Sequence, residues 1–527
     1  MEKRTYIRWL CTVMTAVCLL AGLPTAAWAK TILFVPQDNR PVSFREAVET
    51  AQAAGFEVLT PPEDLLASRG REGNPEAVWD WVMANGKSVD AMVLSADTLV
   101  YGGLVDSRIH QLGSDLLWVR QARFDKLKKL NPTARQYVFA TIMRTPRMTA
   151  GGVEPSYYEK YGPNIFELTV LQDKETVLGL TSEEKRQLKK LKETIPQDAL
   201  EDWFSRRDKN FQVNRNFVDK TIKGDIQYLL LGRDDTAPFS QTHKEARLLV
   251  NQAAKLPASR FASFPGADQL GMLLLTRAIN DLEHRVPVVS VQYALGTGPK
   301  SLPTYEDQPI GKSIVDQIVS AGGIVLPQPQ KPDLVLAVHT SPDGHTDEAE
   351  WVSNITYASA GTKQFVANVA KDLAKGQAVA IGNISFVNGS DNSLMQELSE
   401  QKLLGKLTAY SGWNTPSNTL GFAISQGMLA PQMTTASRQK LLAERYLDDW
   451  AYQANIRSQL NREIVYAKGG SLVQLDALEG ELTVAAQKKL REFAKQHLDF
   501  LKPEQVQVSF PWNRMFEIDV RITPPQK

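Results

Sequence analysis

Short apolar runs alternate with helix-length amphipathic stretches along most of the chain. This alternation is typical of parallel sheets covered by helices, because a buried parallel strand is apolar on both faces. A first series of apolar runs lies at residues 31–35, 56–59, 91–94, 137–142, 228–231 and 261–264, and we expect the run at 286–293 to close it. A second series lies at residues 323–326, 334–338, 378–381 and 407–410. The pattern predicts an α/β protein with two parallel-sheet domains, and the irregular strand spacing favours an open sheet over a closed barrel in the first.

Two regions depart from the alternation and help to set the expected domain boundaries. Residues 172–222 are highly charged and helical in propensity, which predicts a helical insertion in the first domain. Beyond residue 437 long helical patterns dominate, with two apolar runs near the end that predict closing strands. Gly, Pro and Ser cluster at residues 296–303, as in a linker. The expected divisions are a first α/β domain at 30–298, a second at 299–436 and a mostly helical region at 437–527.

The first 29 residues have the pattern of a secretory signal peptide. Three basic residues precede an apolar run, which ends in the small-residue motif Ala27-Trp28-Ala29. A membrane anchor is the alternative, but Gly22 and Pro24 interrupt the run before it reaches the roughly 20 residues that a span needs. Lipoprotein processing at Cys18 is a second alternative. We expect export with cleavage, to the periplasm or the extracellular space, and no stable membrane anchor afterwards.

Composition and charge exclude several classes of protein. The 527 residues are 43% hydrophobic and 23% charged, which is ordinary for a globular protein. Residues 30–527 carry 57 Lys+Arg and 58 Asp+Glu, so the basic excess of a nucleic-acid-binding protein is missing. Both cysteines lie in the expected signal peptide, which removes cysteine–zinc chemistry. The sequence also lacks the dinucleotide-binding, P-loop, zincin and Gly-x-Ser-x-Gly motifs.

Polar and charged residues follow nearly every predicted strand of the first series. Because the carboxyl ends of parallel strands share one edge, where α/β folds bind ligands, we expect these residues to converge on a site. The candidates are Asp38, Arg40, Asp97, Tyr101, Arg108, Arg144, Arg233, Asp234, Asp235 and Asp268.

Asp234 and Asp235 are the strongest candidates for chemistry among these residues. Adjacent carboxylates repel each other, which raises the pKa of one and suits a general acid or base. The pair could equally bind sugar hydroxyls or a metal, or form a plain Asp-rich turn. Asp38 and Asp268 could instead cap the helices that follow them. The glycines Gly102 and Gly103 permit a tight turn or a close approach to a ligand.

The second series adds residues that suit substrate binding: Glu306, Asn388, Asp391, Trp413, Asn414 and Asn418. A Trp beside an Asn offers a flat apolar face together with amide donors and acceptors, which fits a sugar ring. Trp413 is alternatively a packed core residue. His339 and His345 are too loosely spaced for a metal motif, so we expect no metal and no cofactor.

Four strings carry a resemblance to a known family: 35–42 (VPQDNRPV), 97–108 (DTLVYGGLVDSR), 232–238 (GRDDTAP) and 412–421 (GWNTPSNTLG). In this order they resemble the bacterial family known as domain of unknown function 4127, and the resemblance extends over most of the chain. It implies no particular activity, so the function has to be argued from the residues.

The residues favour an exported hydrolase that acts on a polar carbohydrate or cell-envelope substrate, a small molecule or a glycan. Asp234 or Asp235 is the expected general acid or base, and Asp97 or Asp38 its partner. The expected substrate anchors are Arg40, Arg108, Arg144 and Arg233. One alternative is a non-catalytic solute-binding protein with two lobes that close on the ligand. Another is a metal-dependent phosphoester or amide hydrolase that uses His339 and the aspartates. No nucleic-acid partner is expected.

Overall fold

The computed structural model describes residues 30–147, 152–327 and 330–523. The expected signal peptide at residues 1–29 lies outside the described residues. Within the described ranges, no helix is both long enough and apolar enough to cross a membrane.

The first sheet is open and entirely parallel. Its strands, in chain order, are β1 (Thr31–Val35), β2 (Glu57–Leu59), β3 (Ala91–Ser95), β4 (Arg135–Ile142), β5 (Tyr228–Arg233) and β6 (Phe261–Pro265). They lie side by side in the order β2-β1-β3-β4-β5-β6. All five residues of β3 are buried, as an apolar strand covered by helices on both faces requires. The predicted open sheet is therefore confirmed.

The second sheet has the same topology with one strand fewer. The next strands are β7 (Val288–Tyr293), β8 (Ile324–Val325), β9 (Leu334–His339), β10 (Asp347–Glu348), β11 (Val379–Asn383), β12 (Phe386–Val387) and β13 (Ala409–Ser411). Five of them form a parallel sheet in the order β8-β7-β9-β11-β13, while β10 and β12 make a small separate pair. We expected β7 to close the first series, and that expectation is wrong, because β7 pairs with β8 and β9.

Helices cover both sheets and make up most of the rest of the chain. They are α1 (Arg45–Ala53), α2 (Pro75–Asn85), α3 (Ala96–Val100), α4 (Leu104–Ile109), α5 (Ser114–Leu130), α6 (Tyr158–Val177), α7 (Ser182–Thr194), α8 (Gln197–Lys223), α9 (Gln241–Gln252), α10 (Leu270–Leu282), α11 (Ile310–Ser320), α12 (Ala360–Ala374), α13 (Asn392–Glu400), α14 (Pro416–Leu429), α15 (Thr435–Arg445), α16 (Arg457–Leu460) and α17 (Glu479–His497). Helices α6 to α8 are the predicted helical insertion, and a Thr181–Glu184 capping box begins α7.

The C-terminal region is mostly helical and ends in two strands, as predicted. Wide π-helical turns at Tyr446–Ile456 and Asn461–Val465 continue α15 through α16. Strands β14 (Val506–Ser509) and β15 (Asp519–Ile522) pair antiparallel after α17. The fold class is therefore α/β with two parallel sheets, a helical insertion and a helical C-terminal region.

The largest apolar core joins the two sheets. It contains Phe34 from β1, Leu336 from β9 and the apolar faces of α10, α11 and α14, which lie between the sheets. The described residues from Thr31 onward form one compact unit by their contacts. A domain boundary at residue 298 stays a prediction.

Both sheets have a topological switch point between their first and third strands. The second strand of each sheet lies outside the first, and the chain then passes to the other side of the first strand. Adjacent connections leave the sheet toward opposite faces at that point, which opens a crevice at the carboxyl ends of the strands. The crevices are expected beside β1 and β3, and beside β7 and β9.

Candidate functional site

The carboxyl edge of the first sheet brings together eight of the predicted residues. We call this group the first-sheet site: Asp38, Arg40, Asp97, Arg108, Arg144, Asp234, Asp235 and Asp268. Each lies in the segment that follows one of the strands β1, β3, β4, β5 and β6. Arg108 is the furthest from its strand, because it lies in α4, after β3 and α3. Its five aspartates outnumber its three arginines, and burial raises the pKa values of Asp97, Asp235 and Asp268.

Arg40 holds two aspartates together at the switch point of the first sheet. Its Nη2 donates to Asp38 Oδ2 at 2.8 Å and to Asp268 Oδ1 at 2.5 Å. Gln37 Nε2 donates to the same Asp268 oxygen at 2.8 Å. Asp38 and Asp268 therefore bind side chains, and neither caps a helix, since α1 and α10 begin without a side-chain cap.

The second half of the chain reaches the same edge through Asp268. Asn414, which follows β13, donates from Nδ2 to Asp268 Oδ2 at 3.0 Å. Asn418 Oδ1 accepts from the backbone N–H groups of Ala267 and Asp268 at 3.2 and 3.1 Å. Burial raises the pKa of Asp268, and Arg40 opposes this rise. Two predicted asparagines thus fix the orientation of one predicted aspartate.

Each member of the Asp234–Asp235 pair binds its own arginine. Arg108 Nη2 donates to Asp234 Oδ2 at 2.6 Å, and Arg144 Nη1 donates to Asp235 Oδ2 at 2.7 Å. Arg144 also binds Glu154, with Nη2 2.5 Å from Oε1. Arg108 links α4 to the loop after β5, and Arg144 links the loop after β4 to the same loop, so the two aspartates point in fixed directions.

Asp235 differs from the other aspartates of the site in three ways. Its φ of +30° lies in the left-handed region that non-glycine residues rarely adopt. Its side chain is 24% exposed, against 10% for Asp234 and 1% for Asp38. Burial and the negative charge of Asp234 raise the pKa of Asp235, while Arg144 lowers it. Strain, access and a raised pKa coincide at this residue.

Asp97 is 1% exposed and is close enough to Asp234 to feel its charge. Thr141 donates to Asp97 Oδ2 from its backbone N–H and its hydroxyl, both at 3.0 Å. Burial raises the pKa of Asp97 to about 7, the negative charge of Asp234 adds to the rise, and Thr141 opposes it. Asp97 is therefore a carboxyl group that changes protonation near neutral pH.

Tyr101 and the glycines after it pack tightly beside the first-sheet site. The Tyr101 hydroxyl is buried without a hydrogen-bond partner among the described residues, and the ring stacks on His110. Gly102 has a φ of +122°, and a Cβ there would lie 2.5 Å from Asp106 Oδ2. The glycines thus allow a tight turn and close packing within the protein.

Three predicted binding residues make contacts within the protein in this structure. Arg233 donates to Asp307, Ser263 and Gln308. Glu306 accepts from the Ser417 N–H at 2.7 Å, and burial raises its pKa to about 8. Trp413 is 3% exposed and packs against Phe422 and Phe516, which favours the core interpretation over an open sugar-binding face. Their binding roles stay predictions.

Asn388 and Asp391 lie with the second sheet. Asn388 donates to Glu348 Oε2 at 2.8 Å, and its backbone N–H donates to Asn414 O at 2.9 Å. Asp391 caps α13 through Oδ1, and its Oδ2 lies 3.6 Å from His339 Nδ1. His339 is therefore in the second sheet, apart from the first-sheet aspartates. The described ranges contain no group of three or more His, Cys, Asp or Glu arranged to hold a metal ion.

The structure adds three residues that the sequence analysis did not select. Gln37 binds Asp268, Glu154 binds Arg144, and the Trp512 ring lies 5.4 Å from the guanidinium of Arg40. Gln37 belongs to a string already singled out, and the adjacent glycines before Glu154 resemble Gly102-Gly103. Trp512, between the two C-terminal strands, has no comparable signal, because only the fold brings it to β1.

Comparisons with known proteins give a family and little else. No curated protein matches the chain. Among solved structures, one similar chain is a UDP-glucosyltransferase from Polygonum tinctorium, described as capable of glucosylating indoxyl, in a complex with 3,4-dichloroaniline. It is 12% identical, with 89% of this chain and 99% of that chain covered, and the TM-score of 0.18 is too low to support an argument about fold or function. The family model described as protein of unknown function (DUF4127) matches residues 32–521, and the chain therefore belongs to that family.

Proposed function

We propose that this protein is an exported hydrolase that acts on a polar carbohydrate, a small molecule or a glycan of the cell envelope. Export rests on the signal-peptide pattern of residues 1–29. The chemistry rests on the first-sheet site, where carboxyl groups in different states of exposure and pairing lie at a switch point. Carboxylates and amides at such an edge accept and donate hydrogen bonds to sugar hydroxyls.

The observation that carries the proposal is the state of Asp235. It is the most exposed aspartate of the first-sheet site, and it has a strained backbone and a raised pKa. Backbone strain of this kind clusters at functional positions, because the surrounding structure has to maintain it. A carboxyl group with a raised pKa retains its proton closer to neutral pH and is suited to donate it.

In the proposed reaction, water adds across a glycosidic bond. Asp235 protonates the leaving oxygen as that bond breaks, and a second carboxylate accepts a proton from the attacking water. Asp97 is the proposed partner, because its pKa of about 7 lets it exchange a proton near neutral pH. Arg108 and Arg144 hold Asp234 and Asp235 in place.

The test is product release from purified peptidoglycan, envelope polysaccharides and model glycosides. We expect the wild-type protein to release product from at least one of these substrates. Asp235→Asn keeps the size of the side chain and an oxygen for Arg144, but it cannot transfer a proton. We expect it to lower kcat by roughly 10²–10⁴-fold with little change in thermal stability. Asp97→Asn should also lower kcat.

Asp64→Asn is the matched control, because Asp64 is an exposed aspartate outside the site. It should release product at the wild-type rate. A wild-type protein that cleaves none of the substrates would overturn the hydrolase proposal. Unchanged kcat in Asp235→Asn would remove Asp235 from the mechanism even if hydrolysis occurs.

A further inference from the structure

A cavity lies at the carboxyl edge of the second sheet. It has a volume of about 280 Å³ and is lined by residues that follow β7 and β9, including Ala294, Leu295, His339 and Thr340. These are the two strands that flank the switch point of that sheet. Small-molecule pockets occupy roughly 300–1,000 Å³ and favour switch points, so the position fits a ligand site and the volume, just below that range, suits a small ligand. We call it the second-sheet cavity.

His339 occupies the inner wall of this cavity with one ring nitrogen available. The side chain is 5% exposed, and Nδ1 makes a hydrogen bond of 2.7 Å with Ser385 Oγ. Burial lowers the pKa of His339, which favours the neutral ring. Among the described residues none forms a hydrogen bond to Nε2, so this nitrogen can bind a ligand in the cavity.

Thr340 provides a second unpartnered group. The residue lines the cavity and is 1% exposed, and its hydroxyl has no hydrogen-bond partner within the described ranges. An unpaired buried hydroxyl destabilises the folded protein, and a hydrogen bond with a bound polar molecule would remove that penalty. The Thr340 hydroxyl is therefore free to form a hydrogen bond with a ligand in the cavity.

The charge of the lining selects among ligand classes. Three aspartates line the cavity, Asp343, Asp347 and Asp391, and the lining contains neither Lys nor Arg. Seven of the other lining residues are serine or threonine, which form hydrogen bonds with hydroxyl groups. The exposed Ile355 and Tyr357 supply apolar surface at the rim. An anion would meet carboxylates here, whereas an ammonium group would be attracted.

We propose that the second-sheet cavity binds a small polyhydroxylated molecule that carries a protonated amine, such as an amino sugar. The amine pairs with Asp391 and Asp347, and the hydroxyl groups bind the serine and threonine side chains and His339 Nε2. This proposal does not depend on hydrolysis at the first-sheet site. Asp347 lines the cavity. The next residue, Glu348, accepts a hydrogen bond from the Asn388 side chain, and the backbone N–H of Asn388 donates to Asn414 O.

The test is calorimetric titration of the full mature chain with three matched probes: glucosamine, glucose and glucose 6-phosphate. We expect glucosamine to bind about tenfold more tightly than glucose, since a charge-assisted hydrogen bond contributes about that factor. Glucose 6-phosphate should bind more weakly than glucose. No turnover is needed, so this result stands apart from any test of hydrolysis.

Two conservative variants place the binding in the cavity. Asp391→Asn retains an oxygen that can cap α13, and Asp347→Asn changes a partly exposed side chain, so both should fold. Each should lower the affinity for glucosamine about tenfold and leave that for glucose nearly unchanged. Asp64→Asn should bind glucosamine as the wild type does.

Three outcomes would overturn the proposal. The first is that none of the probes binds the wild-type protein. The second is that glucose 6-phosphate binds most tightly, which would mean a site for anions. The third is that glucosamine binds equally well to both cavity variants but weakly to Asp235→Asn, which would place the amine in the first-sheet site.

Discussion

At the scale of single residues, the buried carboxyl group of Asp97 makes stability depend on pH. Its pKa rises from 3.8 to about 7 on folding, so the folded protein binds a proton that the unfolded chain has already lost. The folded state therefore becomes less stable as pH rises from about 4 to about 7. We predict that Asp97→Asn removes this part of the dependence and keeps an oxygen for Thr141.

The gain of Asp97→Asn over the wild type should grow by up to about 4 kcal/mol between pH 4 and pH 7. Urea denaturation at a series of pH values measures this difference. Other carboxyl groups titrate in both proteins and cancel. Asp64→Asn should show no such trend, and a constant difference for Asp97→Asn would mean that Asp97 is ionised throughout.

Glu306 gives a related prediction at a higher pH. Burial raises its pKa from 4.5 to about 8, and its Oε2 has no hydrogen-bond partner among the described residues. The free energy of unfolding should therefore fall as pH rises toward 8, and Glu306→Gln should resist that fall while still accepting from the Ser417 N–H. The advantage of the variant should reach about 5 kcal/mol above pH 8. Thermal melts at pH 5 and pH 9 would contradict this if the wild type and the variant shifted equally.

The types of side chain at the site were predictable, but their partners were not. Asp38, Asp97, Asp234 and Asp268 follow apolar runs, and the common edge of a parallel sheet brings them together. Trp413 has equally polar neighbours in the sequence, yet its ring packs inward against Phe422. Burial of a loop residue depends on which element covers it, and the local pattern does not contain that information.

At the scale of elements, α14 packs closely against Gln269, the residue before α10, at Gly421. A Cβ on Gly421 would lie 2.4 Å from both Cβ and Cγ of Gln269 and 2.9 Å from Gln317 Oε1. Gln269 Cβ is fixed to its backbone and cannot move away. We predict that Gly421→Ala lowers the free energy of unfolding by at least about 1–3 kcal/mol despite its higher helix propensity.

Gly480→Ala is the matched control for this substitution. Gly480 lies in the first turn of α17, and no atom lies within 4 Å of a Cβ built there. The same change should leave the protein as stable or raise the free energy of unfolding by up to about 1 kcal/mol. Equal effects in urea denaturation would mean that the approach of α14 to Gln269 is loose.

Strand positions followed from the sequence more closely than strand pairing. The runs at 31–35, 91–94 and 228–231 lie within β1, β3 and β5. The run at 286–293 contains β7, but we assigned it to the wrong sheet. Its main partner, β9, lies some 40 residues later in the chain. The sequence of a short apolar run does not show which sheet the strand joins, because the helices that follow decide where the strand lies.

At the scale of the whole molecule, the C-terminal region returns to the N-terminal helix. Arg445, at the end of α15, is 2% exposed. Its Nη2 lies 2.7 Å from Glu46 of α1 and 3.0 Å from Asp448, and its Nη1 lies 3.2 Å from Asp449. One guanidinium group therefore balances three buried carboxyl groups from two distant parts of the chain.

We predict that Arg445→Met lowers the free energy of unfolding by about 3–5 kcal/mol, because three buried carboxyl groups lose their common cation. Burial raises the pKa of Asp449 to about 8 and also raises the pKa values of Glu46 and Asp448, so the loss should be smaller at pH 5, where these groups are more protonated, than at pH 9. Arg186→Met is the control, since Arg186 and its partner Glu183 are 71% and 74% exposed on α7, and such pairs contribute about 0–1 kcal/mol.

Circular dichroism should report a single transition for every variant, because the main core joins both sheets. A separate early transition in Arg445→Met would show instead that the C-terminal region unfolds independently of the first sheet.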